Sequence, residues 1–233
     1  FRPNGPGTTD MLSLQGTCGY LPMYVASFDG VDDYVEVPDS PSLKPNVVSL
    51  EAWVYGRNYS NSPYLISKYD PLGSGYQIDF SFDRRISFKI GSANGKRDWS
   101  TDTYIAPIDE WYHIVCVYDG RRSFIYKNGI LITSYDWGTY APIDYTAYYA
   151  TLGVQIARYV YFNGTIANVQ IYNTALSQQE IQYLYQEGLG GGPIHLQNLV
   201  AWWPLNGDAK DYSGNNNHGT IYGVSFIQNY NPP

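Results

Sequence analysis

From Met23 to about Asn173 the chain is a series of short runs in which apolar and β-branched residues alternate with polar ones. ASFDG, YVEVP, VVSLEAWVY, YLISKY, GYQIDFSF, RISFKIG, WYHIVCVYDG, SFIYKNGILITSY, YYATLGVQIA and TIANVQIYN follow one another, each bounded by Gly, Asn, Asp or Pro. Short period-two runs at regular turn spacing predict an all-β, antiparallel sandwich. Asn128-Gly129, between SFIYK and ILITSY, predicts a tight hairpin, because Asn-Gly accepts positive φ at both turn positions. Asn94-Gly95 predicts a second. One stretch breaks the pattern. In residues 174–188, Leu176, Ile181, Leu184 and Tyr185 recur at helical spacing, and Ser177 precedes Glu180 by three as in a capping box. Gly188 supplies the C-terminal glycine, so one short helix is expected near 175–187. The Gly-rich stretch that follows, within 188–197, reads as a flexible linker into the strand LVAWWPL. Residues 1–22 lack periodicity and read as an N-terminal arm.

A chain of 233 residues fits one large β domain, here 23–233, with a core that needs no staple. The net charge of −7, with no basic stripe, argues against nucleic acid as a partner. No apolar run is long enough to span a membrane. No secretory signal peptide is visible, so export would make Phe1 a processed start.

Six segments together resemble the laminin-G-like, concanavalin-A-like jelly-roll family: ASFDGVDDYVEVP, SLEAWVY, WYHIVCVYDG, IYKNGILI, FNGTIANVQIYNTALSQQEIQYLY and LVAWWPLNGDAKDYSGNNNHGTIYG. The resemblance implies two packed antiparallel sheets, an extracellular or cell-surface setting, and recognition or a structural role in place of catalysis. The family's order is reversed here: the WWPL…DYSGN…GTI block, within 198–226, ordinarily precedes the SFDG block but follows it in this chain. A circular permutation closes the strands within one chain. Donation of residues 196–227 to a neighbour links copies of the protein head to tail in a filament or coat, through strand or arm exchange. Both satisfy the same hydrogen bonds.

Candidate chemistry falls into four groups. Structural Ca2+ is implied by the family, and two turns are rich in the oxygen donors it needs: Asp29, Asp32 and Asp33, and Asp208 to Asn217. Asp211, Asn217 and Asp29 are the leading ligands, on the expectation that the two turns meet. The same residues also serve as plain turn formers. Where the family often has TIDEV this chain has TIANV, which removes a carboxylate at Ala167. Catalysis is not expected: no strand has the spaced acids of a glycosidase, and Asp79 and Asp83, four apart on one predicted strand face, are followed by Arg84 and Arg85 as in a solvated hairpin. For a glycan or surface-protein ligand, Trp99, Trp137, Tyr140 and Arg97 are the candidates, placed in long polar loops, whereas Trp53, Trp111 and Trp202 read as core. Asn58-Tyr-Ser60 and Asn163-Gly-Thr165 are glycosylation sequons in predicted turns. Cys116 reads either as a buried core thiol or, in an extracellular setting, as the disulfide partner of Cys18.

Overall fold

The computed structural model describes residues 22–92, 95–155 and 159–229, with only the backbone described at 96, 97 and 99–104. Residues 1–21 of the arm, Cys18 among them and with it the Cys18–Cys116 pairing, and Asn94 of the second hairpin turn lie outside the described residues.

The chain runs β1 (Tyr24–Asp29), β2 (Tyr34–Val37), β3 (Val48–Asn58), β4 (Tyr64–Tyr69), β5 (Gly75–Phe80), β6 (Arg85–Ser92), β7 (Gly95–Ile105) and β8 (Trp111–Tyr118). It continues with β9 (Arg122–Lys127), β10 (Ile130–Asp136), β11 (Ala150–Leu152), β12 (Val154–Gln155), β13 (Val160–Tyr161) and β14 (Asn163–Tyr172). A helix, α1 (Gln178–Glu187), precedes β15 (Leu199–Trp203), β16 (Thr220–Tyr222) and β17 (Ser225–Gln228). One sheet has the order β10-β9-β8-β3-β14-β1-β17, with β15 also on β14, and the other has the order β16-β2-β11-β4-β5-β6-β7. All pairings are antiparallel.

Alternation decides which side chains fill the sandwich. Val48, Leu50, Ala52 and Val54 of β3 point inward to meet Tyr76, Ile78 and Phe80 of β5 and Ile86, Phe88 and Ile90 of β6. Cys116 is buried in that interior, where desolvation holds its thiol well above the usual range. The outer face of the first sheet is covered too. Ile181 and Leu184 of α1 pack with Leu176 on Val115, Val117, Tyr126, Tyr172 and Leu199, which explains why HIVCVYD is apolar without a break. Trp53 packs on this helix-covered face, and Trp202 is half-buried against it, while Trp203 lies inside the sandwich.

The helix forms as its residues dictate: Ser177 Oγ accepts from Glu180 N–H, Glu180 Oε2 accepts from Ser177 N–H, and Gly188 ends it at φ 77°. Asn128 and Gly129 take φ of 49° and 74° in the β9–β10 hairpin. The stretch after the helix is not a free linker. Leu189 is buried against Trp53 and Val25, Gly191 O accepts from Asn168 Nδ2–H (2.9 Å), and Ile194 N–H donates to Tyr172 Oη (3.2 Å). Apolar residues inside a Gly-rich segment dock it.

The C-terminal strands pair with the chain's own opening strands. β17 lies on β1 (Ser27 opposite Ser225), β16 on β2 (Tyr34 opposite Tyr222) and β15 on β14. No helix among the described residues is long and apolar enough to cross a membrane.

Candidate functional site

Three chain segments meet at one end of the sandwich. β3 ends at Asn58, β14 begins at Asn163 directly opposite it, and Asp29 at the end of β1 stands opposite Asn163 on the other side. Between them is a polar cleft of about 40 Å3 lined by Gly30, Asn58, Ser60, Asn61, Tyr161 and Asn163, with Pro63. That space holds roughly one or two waters, so a larger ligand would lie across its mouth. Gly30 is required here: it sits at φ +81°, and a Cβ on it would come 2.7 Å from Asn163 Cβ. Asn58 Oδ1 accepts from Ser60 N–H (2.9 Å), leaving its Nδ2–H groups to the cleft.

The cleft opens onto aromatic surface. Tyr161 lines it, and its ring lies 6.3 Å from Tyr34, which stacks on Tyr222 at 4.5 Å and 9°. Tyr159, 71% exposed, and Tyr222, 41% exposed, extend this surface outward. Their closeness is felt electrically: burial first, then the neighbouring Tyr222, Glu36, Tyr161 and Tyr159, push the Tyr34 phenol up. Beside the tyrosines, a polar row crosses all seven strands of the second sheet in register: Thr220, Glu36, Thr151, Ser67, Gln77, Lys89 and Asp98. Its middle is buried. Gln77 Oε1 accepts from Ser67 Oγ–H (3.2 Å) and Gln155 Nε2–H (3.1 Å), and Asp79 pairs with Lys89 (2.8 Å). Asp79 is thus a buried member of β5, whereas Asp83 sits in the following turn with Arg85 (2.9 Å). Asp83 and Arg85 form the solvated hairpin that the sequence suggests, whereas Asp79 is buried and does not share its face.

An acidic turn adjoins the cleft at Gly30. The ligand oxygens of Asp29, Asp32 and Asp33 all lie within 4.8 Å of one another. Asp29 Oδ1 accepts from Val31 N–H and Asp33 Oδ2 from Asp29 N–H, both local turn bonds. Burial first, then the charges of Asp29 and Asp32, hold the Asp33 carboxyl above its usual range. As oxygen donors on an irregular turn, these three carboxylates suit a hard cation.

Asp211 and Asn217 are elsewhere. Asp211 Oδ1 accepts from Trp202 N–H (2.9 Å) and Ser213 N–H (2.8 Å), and Oδ2 from Ser213 Oγ–H (2.9 Å) and Asn217 N–H (2.8 Å). Asn217 bonds Ser42 Oγ and donates to Val200 O (2.9 Å). Trp202 stands opposite Gln170, and Asp29 stands opposite Asn163, seven positions along β14. At ~3.3 Å per residue that is about 20 Å, so the two turns do not meet around one ion. The reversed strands do adjoin β1, but β15 and β1 lie end to end along β14.

The four expected ligand residues fall in two chain segments, β7 and the loop after β10. Arg97 and Trp99 lie in β7, opposite Ile90 and Phe88, not in a loop, and their side chains lie outside the described residues. Trp137 is half-buried, donating from Nε1 to Ser123 Oγ (3.1 Å), and Tyr140, 59% exposed, lies over Gly120. That loop adjoins Tyr118, which pairs with Val48 at the far end of β3 from Asn58. Asn58 and Asn163 are strand-end residues and not turn residues, and they belong to the cleft. Asn61 and Tyr161 were not singled out by sequence. Only the doubled sequon marked their surroundings.

A family model described as the concanavalin A-like lectin/glucanases superfamily, laminin G type, matches residues 29–182. The chain belongs to that family. The match ends before the C-terminal strands. Among solved structures, a candidate carbohydrate-binding protein from Bacteroides ovatus superposes with TM-score 0.69 at 14% identity, covering 89% of this chain and 60% of that one. A heptameric SAP-like pentraxin from Limulus polyphemus gives 0.60 at 12%, covering 89% and 95%. The binding domain of Paraclostridial Mosquitocidal Protein 1 gives 0.55 at 16%, covering 65% and 40%. The chain therefore spans about three fifths of the first of these proteins and two fifths of the toxin domain. These likenesses define the fold. No curated protein matches the sequence.

Proposed function

We propose that the protein is a non-catalytic carbohydrate-recognition module, displayed outside the cell, that binds a glycan across the Asn58–Asn163 cleft and the adjoining tyrosines. The observation that carries this reading is the juxtaposition of amides from Asn58, Asn61 and Asn163 with the Tyr161, Tyr34 and Tyr222 rings on one surface. Tyrosine presents a broad apolar face with a polar tip, suited to the C–H face of a sugar ring, and amides bond its hydroxyls as both donors and acceptors. A few convergent polar groups beside aromatic surface make a ligand site. The superfamily and the Bacteroides ovatus neighbour support the same reading. Strands that close on their own chain support a self-contained module. Asp29, Asp32 and Asp33 would hold the Ca2+ that the family implies, and the ion would supply positive charge to ligand hydroxyls at the cleft edge.

The test is an oligosaccharide array probed with the purified chain, followed by calorimetry with Tyr161→Ala and Asn61→Ala. The expected result is at least tenfold weaker binding with unchanged unfolding temperature. Full affinity in both variants, or no binding to any glycan at millimolar concentration, sinks the reading.

A further inference from the structure

We infer that Asn58 is a glycosylated residue whose own glycan lies across the mouth of the cleft, so that modification closes the site to outside ligands. The inference rests on the carbohydrate reading above and adds its regulation.

Both sequons end in the same cleft. Asn58 and Asn163 are cross-strand partners, so the two acceptor residues stand side by side and both line it. They differ in access. Asn58 is exposed, its Oδ1 is held by Ser60 N–H, and its Nδ2 has no partner among the described residues. Asn163 is half-buried with Gly30 packed against its Cβ. Asn58 is therefore the acceptor, and Asn163 is a residue the attached sugar meets. The donor is an oligosaccharide carried on a lipid pyrophosphate. The Nδ2–C1 bond forms, the C1–O bond to pyrophosphate breaks, and the amide proton leaves with the lipid pyrophosphate. Such a glycan is covalent, bulky and surface-borne.

The attached sugar starts one bond from Nδ2, at the mouth of the cleft that Asn61, Asn163 and Tyr161 line. A tethered ligand acts at an effective concentration on the order of millimolar. With a dissociation constant of about 0.1 mM for the tethered sugar, an external ligand then loses roughly tenfold in apparent affinity.

The experiment compares one sequence in two forms: protein from its natural source and protein made in a bacterium without N-glycosylation. Peptide mass spectrometry locates the modification, and calorimetry with the array's best glycan measures binding. The expected result is a glycan mass on Asn58 and binding about tenfold weaker in the modified form. An unmodified Asn58 in the natural protein overturns the inference, and so does equal affinity in the two forms. Equal affinity leaves the carbohydrate reading standing, whereas an unmodified chain that binds no glycan removes both.

Discussion

Beneath α1 the first sheet buries a hydrogen-bonded glutamate–histidine pair that the fold does not fully satisfy. Glu51 and His113 are both inaccessible, and Glu51 Oε1 lies 3.0 Å from His113 Nε2. Glu51 Oε2, His113 Nδ1 and Trp53 Nε1 have no hydrogen-bond partner among the described residues. Against the one hydrogen bond of the pair stand its own two unsatisfied atoms, Glu51 Oε2 and His113 Nδ1, at roughly 1–3 kcal/mol each. The pair as a whole is therefore expected to cost stability, while each member needs the other. Glu51→Leu or His113→Leu alone strands a buried polar partner, and each is expected to lose about 3–5 kcal/mol. The double change Glu51→Leu with His113→Leu should be neutral or stabilising, by up to about 4 kcal/mol. Urea unfolding of the four proteins gives the cycle. The pH dependence carries a sign. Burial, opposed by the bond and charge of His113, raises the Glu51 carboxyl above 4.5 in the fold. A folded pKa above the unfolded one gives a contribution present below 4.5 and lost as pH rises through the folded value. Glu51→Gln should flatten that fall. Single variants that cost under about 1 kcal/mol, or a double variant weaker than either single, would refute the argument.

Three further outcomes follow from the same structure. Asp211→Ala removes an acceptor of four hydrogen bonds in the β15–β16 loop and should cost about 3 kcal/mol by urea unfolding; calcium should not restore it. Gly129→Ala forces a side chain to φ +74° beside Gln182 Cα at 3.3 Å, and thermal unfolding should show a loss of about 1–2 kcal/mol. Calcium at 100 times its dissociation constant should raise stability by about 2.7 kcal/mol, and Asp32→Asn with Asp33→Asn should abolish the rise; a rise that persists moves the ion away from that turn.

What the sequence made legible is what neighbouring residues decide. The Ser177–Glu180 box, the Asn128-Gly129 turn and the alternation of β5 and β6 each depend on a few adjacent positions, and each appears as read. What escaped depends on distant segments. The cleft needs residues near 30, 58–63 and 161–163 to converge, and nothing local to Asn61 or Tyr161 announces that. Composition misled at Gly188–Pro193, where glycines suggested freedom but Leu189 supplied an anchor. It misled again at Arg97 and Trp99, where charge suggested a loop but pairing with β6 made an edge strand. Asp211 had the chemistry of a ligand and the bonds of a turn former, and the two are indistinguishable without coordinates.

The TIANV variation shows how one departure is tied to the architecture around it. Along one side of β14, β1 covers Asn163–Ile166 and β15 covers Val169–Tyr172, so Ala167 and Asn168 form the seam between an early strand and a late one. Asn168 takes φ 48°, its N–H donates to Pro204 O (3.1 Å), and its side chain ties Gly191 to Trp202. Ala167 is fully buried with Val25, Trp53 and Leu189. Leu189 belongs to the segment that carries the chain from the helix to the reversed strands. An acid at 167 would thus be sealed under the connection that the reversed order requires. Ala167→Asp, which restores the family's acid, should lose about 3 kcal/mol or more at neutral pH, less in acid where the carboxyl is neutral. A variant as stable as the parent in urea at neutral pH would mean that the post-helix segment does not seal this position, and the docked connection would have to be abandoned.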